Sequence, residues 1–227
     1  MDIGNCLHES LPAMTWLEAI AVITGIASVW YARKESILVY PVGIVSVLLY
    51  VYICLEVKLY ADAAINAYYF IVSVYGWYFW LHGGRIQQGL PEVKSDELDA
   101  DLELYTAKRG EEAHIARNNK VENIYFIFLT ALLAIFLGFI LDTYTDSNVP
   151  YWDGSTTAVF CIAMILMARK KIENWVYWII GDIACVPLFL YKGLCMSSLQ
   201  YLIFTILAVA GFLTWLKKYK QSVSAHA

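Results

Sequence analysis

Seven stretches of the chain are almost continuously apolar, with polar residues crowded between them. They run Thr15–Tyr31, Ile37–Leu55, Ala61–Leu81, Ile124–Leu141, Ala158–Ala168, Trp175–Leu190 and Ser197–Leu216, the fifth reaching back toward Trp152. Most approach the ~20 residues that a helix needs to cross a hydrocarbon core of about 30 Å. Apolar residues follow one another without alternation, so the pattern predicts helices rather than the strands of a barrel. Hydrophobic residues make up 60% of the chain, too many for an ordinary soluble domain of this length. The expected class is an all-α integral membrane protein with the lipid bilayer as its solvent.

Basic residues set the expected orientation, because short cytoplasmic loops accumulate them. Arg33 and Lys34 follow the first run, Arg169, Lys170 and Lys171 the fifth, and Lys217, Lys218 and Lys220 the seventh. The connection 142–157 has no lysine or arginine, and those after the second and sixth runs have only Lys58 and Lys192. The N-terminus is therefore expected outside and the C-terminus in the cytoplasm. Asp2 and Glu9, without a basic start or an apolar core, argue against a cleavable signal peptide.

Two of the hydrophobic blocks end alike. Gly76-Trp77-Tyr78-Phe79-Trp80 and Gly211-Phe212-Leu213-Thr214-Trp215 lie 135 residues apart, and Leu59 falls on Leu194 at the same offset. Helices 1–3 are thus matched by helices 5–7, with helix 4 unmatched. An odd connecting helix makes the two triplets parallel repeats, a 3+1+3 plan found in transporters. The expected divisions are residues 1–14 as an extracytoplasmic segment and 15–81 as the first three-helix repeat. Residues 82–122 follow as a charged cytoplasmic linker, 123–142 as connecting helix 4 and 143–157 as an extracytoplasmic loop. The second three-helix repeat is 158–217 and the cytoplasmic tail 218–227. Within the linker, Leu98, Leu102 and Tyr105 recur on one face of a candidate surface helix, Asp96–Lys108, although its mixed charge reads more simply as solvated chain.

A net charge of −4 gives no electrostatic reason for a nucleic-acid partner. The five cysteines and four histidines lack metal-ligand spacing, so no metal or other cofactor is expected. The informative polarity lies inside the apolar runs, where an insertion scale puts a charge at ~2.5–3.5 kcal/mol. Asp182 stands about eight residues into the sixth run with no basic residue on that helix to neutralise it. Trp175 and Trp178 share its face, seven and four residues earlier. A carboxylate beside two aromatic planes suits a flat organic cation, although Trp175 also fits interfacial packing near Lys171. On the third run Asn66, Tyr69, Ser73, Trp77 and Trp80 recur at helical spacing, with Asn66 and Tyr69 expected to face a ligand and Trp80 to be structural. Ser46 is the counterpart of Asp182 in the first repeat, and such a serine usually bonds helix backbone. Glu18 and Asp62, near helix ends, are read as interfacial. Pro41 and Pro187 are candidate hinges.

These residues carry a resemblance. Glu173-Asn174-Trp175-x-x-Trp178-x-x-x-Asp182 resembles the helix-6 signature of the PnuC family of vitamin transporters. Leu59-Tyr60-Ala61 through Tyr75-Gly76-Trp77-Tyr78-x-Trp80 is similar to its helix-3 signature, and Met164–Lys170 to the segment leading into helix 6. The resemblance spans all seven helices. It implies a bacterial inner-membrane homotrimer with a fold like a full-length SWEET-type transporter. Facilitated diffusion of nicotinamide riboside or a related vitamin, trapped by intracellular phosphorylation, is the implied activity. It also places Asn174 beside the binding tryptophans. Nicotinamide riboside carriers of the family commonly show Gln in helix 3 and Asn in helix 6, where this chain has Asn66 and Asp182. The added carboxylate suits thiamine, which the PnuT branch carries, and the expectation is thiamine ahead of nicotinamide riboside and of neutral riboflavin. A seven-helix receptor or membrane enzyme remains the other class, with no cluster of acids, histidines or metal ligands to favour an enzyme.

Overall fold

The computed structural model describes residues 16–56, 60–88, 113–193 and 195–225. Within them lie seven helices: α1 Trp16–Arg33, α2 Val39–Glu56, α3 Tyr60–Gln88, α4 Lys120–Tyr144, α5 Pro150–Ala168, α6 Glu173–Tyr191 and α7 Cys195–Ala225. Five of them (α2 and α4–α7) are long and apolar enough to cross a membrane, and α1 contributes a shorter apolar segment, Ala19–Arg33. The candidate surface helix Asp96–Lys108 lies outside the described residues.

Helices outrun the apolar runs that announce them. Helix α3 continues past Leu81 to Gln88, and α7 past Leu216 to Ala225, because a helix that has left the bilayer core still satisfies its backbone internally. Helix α4 begins where it does for a local reason. The Asn119 side chain accepts from the Glu122 amide, and the Glu122 carboxylate accepts from the Asn119 amide, a reciprocal capping box. Helix α5 opens on Pro150, whose missing N–H would have had no partner in a first turn. Pro41 likewise sits in the first turn of α2, so it removes no helical bond there and is not a break. Pro187 lies inside α6 and does remove one.

Neighbouring helices make a closed ring. Helix α1 packs on α2, α2 on α3, α3 on α5, α5 on α6, α6 on α7, and α7 returns to α1, while α4 lies against α5 outside the ring. Large apolar residues on α4 such as Ile124, Phe128, Leu132, Ile135 and Phe139 point outward.

One end of the ring is packed shut. Ala32, Val39, Tyr40, Trp80, Met167, Ile172, Trp175, Ala208 and Trp215 form its buried cluster. Tyr40 meets Trp80 edge-on at 5.2 Å, and Trp175 meets Trp215 edge-on at 5.6 Å. Two glycines permit this. A Cβ on Gly76 would fall on the Tyr40 ring and one on Gly211 on the Trp175 ring, each at about 2.5 Å from the nearest ring atom. The short turns joining α1 to α2 and α5 to α6 cover the same end. Each holds one non-glycine residue in the left-handed region, Glu35 at φ 62° and Lys170 at φ 55°, a conformation that costs on the order of 1–2 kcal/mol. Residues 113–118 lie across this end as a strap. The Ala116 amide donates to the Lys170 carbonyl, the Ile172 amide to the Ala116 carbonyl, and the Ala113 amide to the Trp80 carbonyl.

Candidate functional site

Inside the ring is a cavity of about 1300 Å³ that all six ring helices line. Each helix contributes one stripe at steps of three or four residues, the geometry of a single helical face. On α6 the stripe reads Trp175, Trp178, Asp182, Cys185, Phe189 and Lys192, and on α3 it reads Asp62, Asn66, Tyr69 and Ser73. The cavity reaches helix-end residues Cys54, Asp62, Lys192 and Ser197 at one end, and at the other is floored by Tyr40, Met167, Trp175 and Ala208. It is closed on one side and reaches to the other.

Asp182 sits on the wall between these ends and is only 2% exposed. Among the described residues no lysine or arginine pairs with it. Its wall continues as an aromatic run that crosses three helices. Trp178 stacks on Phe160 with centroids 5.3 Å apart, Phe160 on Tyr201 at 6.0 Å, and Tyr201 on Phe189 at 5.0 Å. Gly181 makes room for Phe160, whose ring occupies the place a Cβ would need. Charges along the cavity are unbalanced. Among the described residues, Asp62, Asp146, Asp153 and Asp182 line it against Lys192 alone, and that lysine is held by Asp153 at 2.6 Å. A carboxylate lining with its one ammonium already engaged favours a cation.

The structure brings Trp175, Trp178, Asp182, Asn66, Tyr69, Ser73 and Ser46 to this one cavity. It separates the others. Asn174, placed beside the tryptophans by the signature, is fully buried away from the cavity lining, and its amide donates to the Lys171 carbonyl at the start of α6. Its position one residue from Trp175 turns it about 100° around the helix, off the cavity stripe. Ser46 lines the cavity but its hydroxyl donates across to the Ala21 carbonyl of α1 at 2.8 Å, a helix-to-helix bond rather than one within its own helix. The Asn66 amide donates to the Asp62 carbonyl one turn earlier at 2.9 Å. Trp77 faces outward, and Trp80 is buried in the floor, its indole donating to the Met167 carbonyl at 3.1 Å.

Sequence reasoning missed several lining residues. Asp62, set aside as interfacial, lines the cavity one turn from Asn66 on the same stripe. Phe160, Phe189 and Tyr201 had no distinguishing signal, since aromatics within an apolar run look alike whether they face lipid or a cavity. Gln200 did carry one, an amide near the start of the seventh run.

The model of the family described as nicotinamide mononucleotide transporter matches residues 15–217. The chain belongs to this family. The transporter family takes in every helix of the ring and, with it, the cavity; its members are membrane transporters and not enzymes. The nicotinamide riboside transporter PnuC of Escherichia coli K12 is 29% identical over 213 residues, covering 92% of this chain and 88% of that protein. The riboflavin/roseoflavin transporter RibM of Streptomyces davaonensis is 22% identical over 201 residues, covering 88% of this chain and 84% of that protein. The crystal structure of the vitamin B3 transporter PnuC superposes with a TM-score of 0.66 at 24% identity, over 96% of this chain and 88% of that one. That likeness is of fold. The family's transporter architecture thus accounts for the helical membrane class expected from the apolar runs.

Proposed function

We propose that this protein carries a small aromatic cationic vitamin across the bacterial inner membrane by facilitated diffusion, with nicotinamide riboside as the leading substrate. The observation that carries the proposal is Asp182, a cavity carboxylate with no cationic partner among the described residues, on the same wall as Trp178. A pyridinium ring can lie along the aromatic run while the carboxylate supplies the counter-charge. Asn66 and Tyr69 on α3, one helix away from α6 around the ring, offer an amide and a hydroxyl for the ligand's polar edge.

Nicotinamide riboside leads over the thiamine expected from sequence because a 29%-identical relative is named as a nicotinamide riboside transporter, which supports this reading. Thiamine remains the second reading, favoured by the acid at Asp182 and the short amide at Asn66. Riboflavin is neutral and would gain no charge pairing from Asp182.

The wider arrangement belongs to the same proposal. Helices α1–α3 and α5–α7 are two parallel repeats around the cavity, with α4 as the odd link. Neighbour relations support this: exchanging the two triplets maps the α1–α7 contact onto α5–α3. With the N-terminus outside, the packed end faces the cytoplasm and the cavity reaches outward. A homotrimer with one pathway per protomer, and trapping by phosphorylation after entry, follow from the family resemblance.

Titration of nicotinamide riboside, thiamine and riboflavin into the pure protein, read by tryptophan fluorescence, tests the substrate. Nicotinamide riboside should quench at the lowest concentration. Labelled vitamin should then equilibrate into proteoliposomes without an ion gradient. Binding without flux would make the protein a receptor and sink the transport reading.

A further inference from the structure

The packed end of the cavity is held by more than aromatic packing. Glu35, in the α1–α2 turn, receives Lys170 of the α5–α6 turn at 2.8 Å and Lys218 of α7 at 2.8 Å, one lysine on each carboxylate oxygen. Lys170 is only 6% exposed. Its ammonium also donates to the Ala113 carbonyl of the strap at 2.7 Å and lies 4.7 Å from the Trp80 ring centroid. One carboxylate therefore ties together the two turns, and through Lys170 the strap and the tryptophan floor.

We infer that the Glu35–Lys170 pair is the latch of the cavity's closed end, the contact that must break before a ligand at Asp182 can leave on that side. The geometry argues for it in three ways. First, the cavity already reaches the opposite end of the ring, so passage needs a change only here. Second, Glu35 and Lys170 belong to different helix triplets, so the pair bridges groups that must separate for the floor of Tyr40, Trp80, Trp175 and Trp215 to part. Third, Glu35 keeps 21% of its side chain exposed. Water can solvate the carboxylate as the bridge opens, which suits a contact that is made and broken repeatedly; a fully dry ion pair would resist breaking. Burial alone would raise the Glu35 carboxyl, but Lys170 and Lys218 more than offset it and hold it below its ordinary value, so the latch is charged at neutral pH. The inference rests on the chain being a transporter and not on which vitamin it carries.

The test is the full chain in proteoliposomes sorted by orientation, with Ala208→Cys as reporter in the cavity floor and a membrane-impermeant maleimide applied to the latched side. The same chain without the added cysteine supplies the baseline from the native thiols. With Glu35 intact, labelling at position 208 should be slow. Glu35→Gln, which keeps the shape and removes the charge, should raise the rate at least tenfold, while labelling from the other side changes little. Size-exclusion behaviour and thermal unfolding report whether the variant is folded. Should Glu35→Gln fail to fold, Lys218→Met removes one of the two cations from an exposed position and should give an intermediate rise. An unchanged rate in the folded Glu35→Gln chain, or in Lys218→Met if that chain is the one read, overturns the latch. No ligand enters the measurement, so a negative result leaves the vitamin assignment standing.

Discussion

Trp80 and Trp215 lie with their ring centroids 5.8 Å apart and donate in reciprocal directions. Trp80 reaches the Met167 carbonyl at the end of α5, and Trp215 reaches the Ala32 carbonyl at the end of α1, at 3.1 and 2.9 Å. Donors and acceptors are both separated by the same 135 residues that separate Gly76 from Gly211. Each tryptophan thus fastens the last helix of its own triplet to the first helix of the other.

Trp80→Phe and Trp215→Phe should each destabilise the protein by about 0.5–1.5 kcal/mol, because each loses one buried hydrogen bond while the carbonyl keeps its bond from a turn amide, Lys170 on Met167 and Glu35 on Ala32. Thermal unfolding in detergent measures this. The two effects should be similar in size; a large loss from one and none from the other would contradict their equivalence.

Asp182→Asn should weaken binding of a cationic vitamin by more than tenfold while the unfolding temperature is held or raised, since an amide in that wall no longer buries a charge. Fluorescence titration beside a thermal scan gives both numbers. Unchanged affinity would remove Asp182 from the site.

Gly211→Ala places a methyl against the Trp175 ring and Gly76→Ala places one against Tyr40. Overpacking of this kind costs typically ~1–3 kcal/mol. Both variants should lose stability, and Gly211→Ala, which shifts a tryptophan, should weaken ligand quenching more than Gly76→Ala, which shifts Tyr40 of the same floor. Equal effects on binding would assign Trp175 to packing alone.

Asn174→Ala should lower stability without changing affinity, because Asn174 bonds the α6 start and stands off the cavity stripe. A loss of affinity in a chain of normal stability would return it to the site.

The latch has a defined pH range. Glu35 has a folded pKa below its ordinary 4.5, so its contribution is complete above that value and disappears only as the pH falls through the folded one. The groups facing it are Lys170 and Lys218. The labelling difference between the native chain and Glu35→Gln should therefore be constant from pH 5.5 to 8. A difference that vanished by pH 6 would mean that another group governs this end.

Much of the fold is legible in sequence because the bilayer demands long apolar runs; each of the seven helices falls on such a run, and five of them are long and apolar enough to cross a membrane. Helix ends are not legible, since Tyr60–Gln88 and Cys195–Ala225 run on into polar turns that hydropathy reads as loop. That Asp182, Trp178 and Asn66 meet in one cavity could be anticipated, because polarity at membrane depth needs a cavity or a partner. The wall of Phe160, Tyr201 and Phe189 could not, as apolar composition does not say which face of a helix turns inward. Lys170 shows a further limit. Counted by sequence it is one more loop cation, yet the fold buries it in an ion pair whose partner lies in a distant turn.

Glu35 and Lys170 occupy corresponding places, 135 residues apart and both in the left-handed region. Had two identical chains met about a true twofold axis, the same residue would appear twice at that contact, acid against acid or base against base. On the proposed repeat plan the two triplets belong to one chain and each can change alone, which lifts that restriction. An attractive bridge between equivalent positions needs two copies that differ in sequence, which the proposed repeat plan supplies, and here it lies where the two triplets meet.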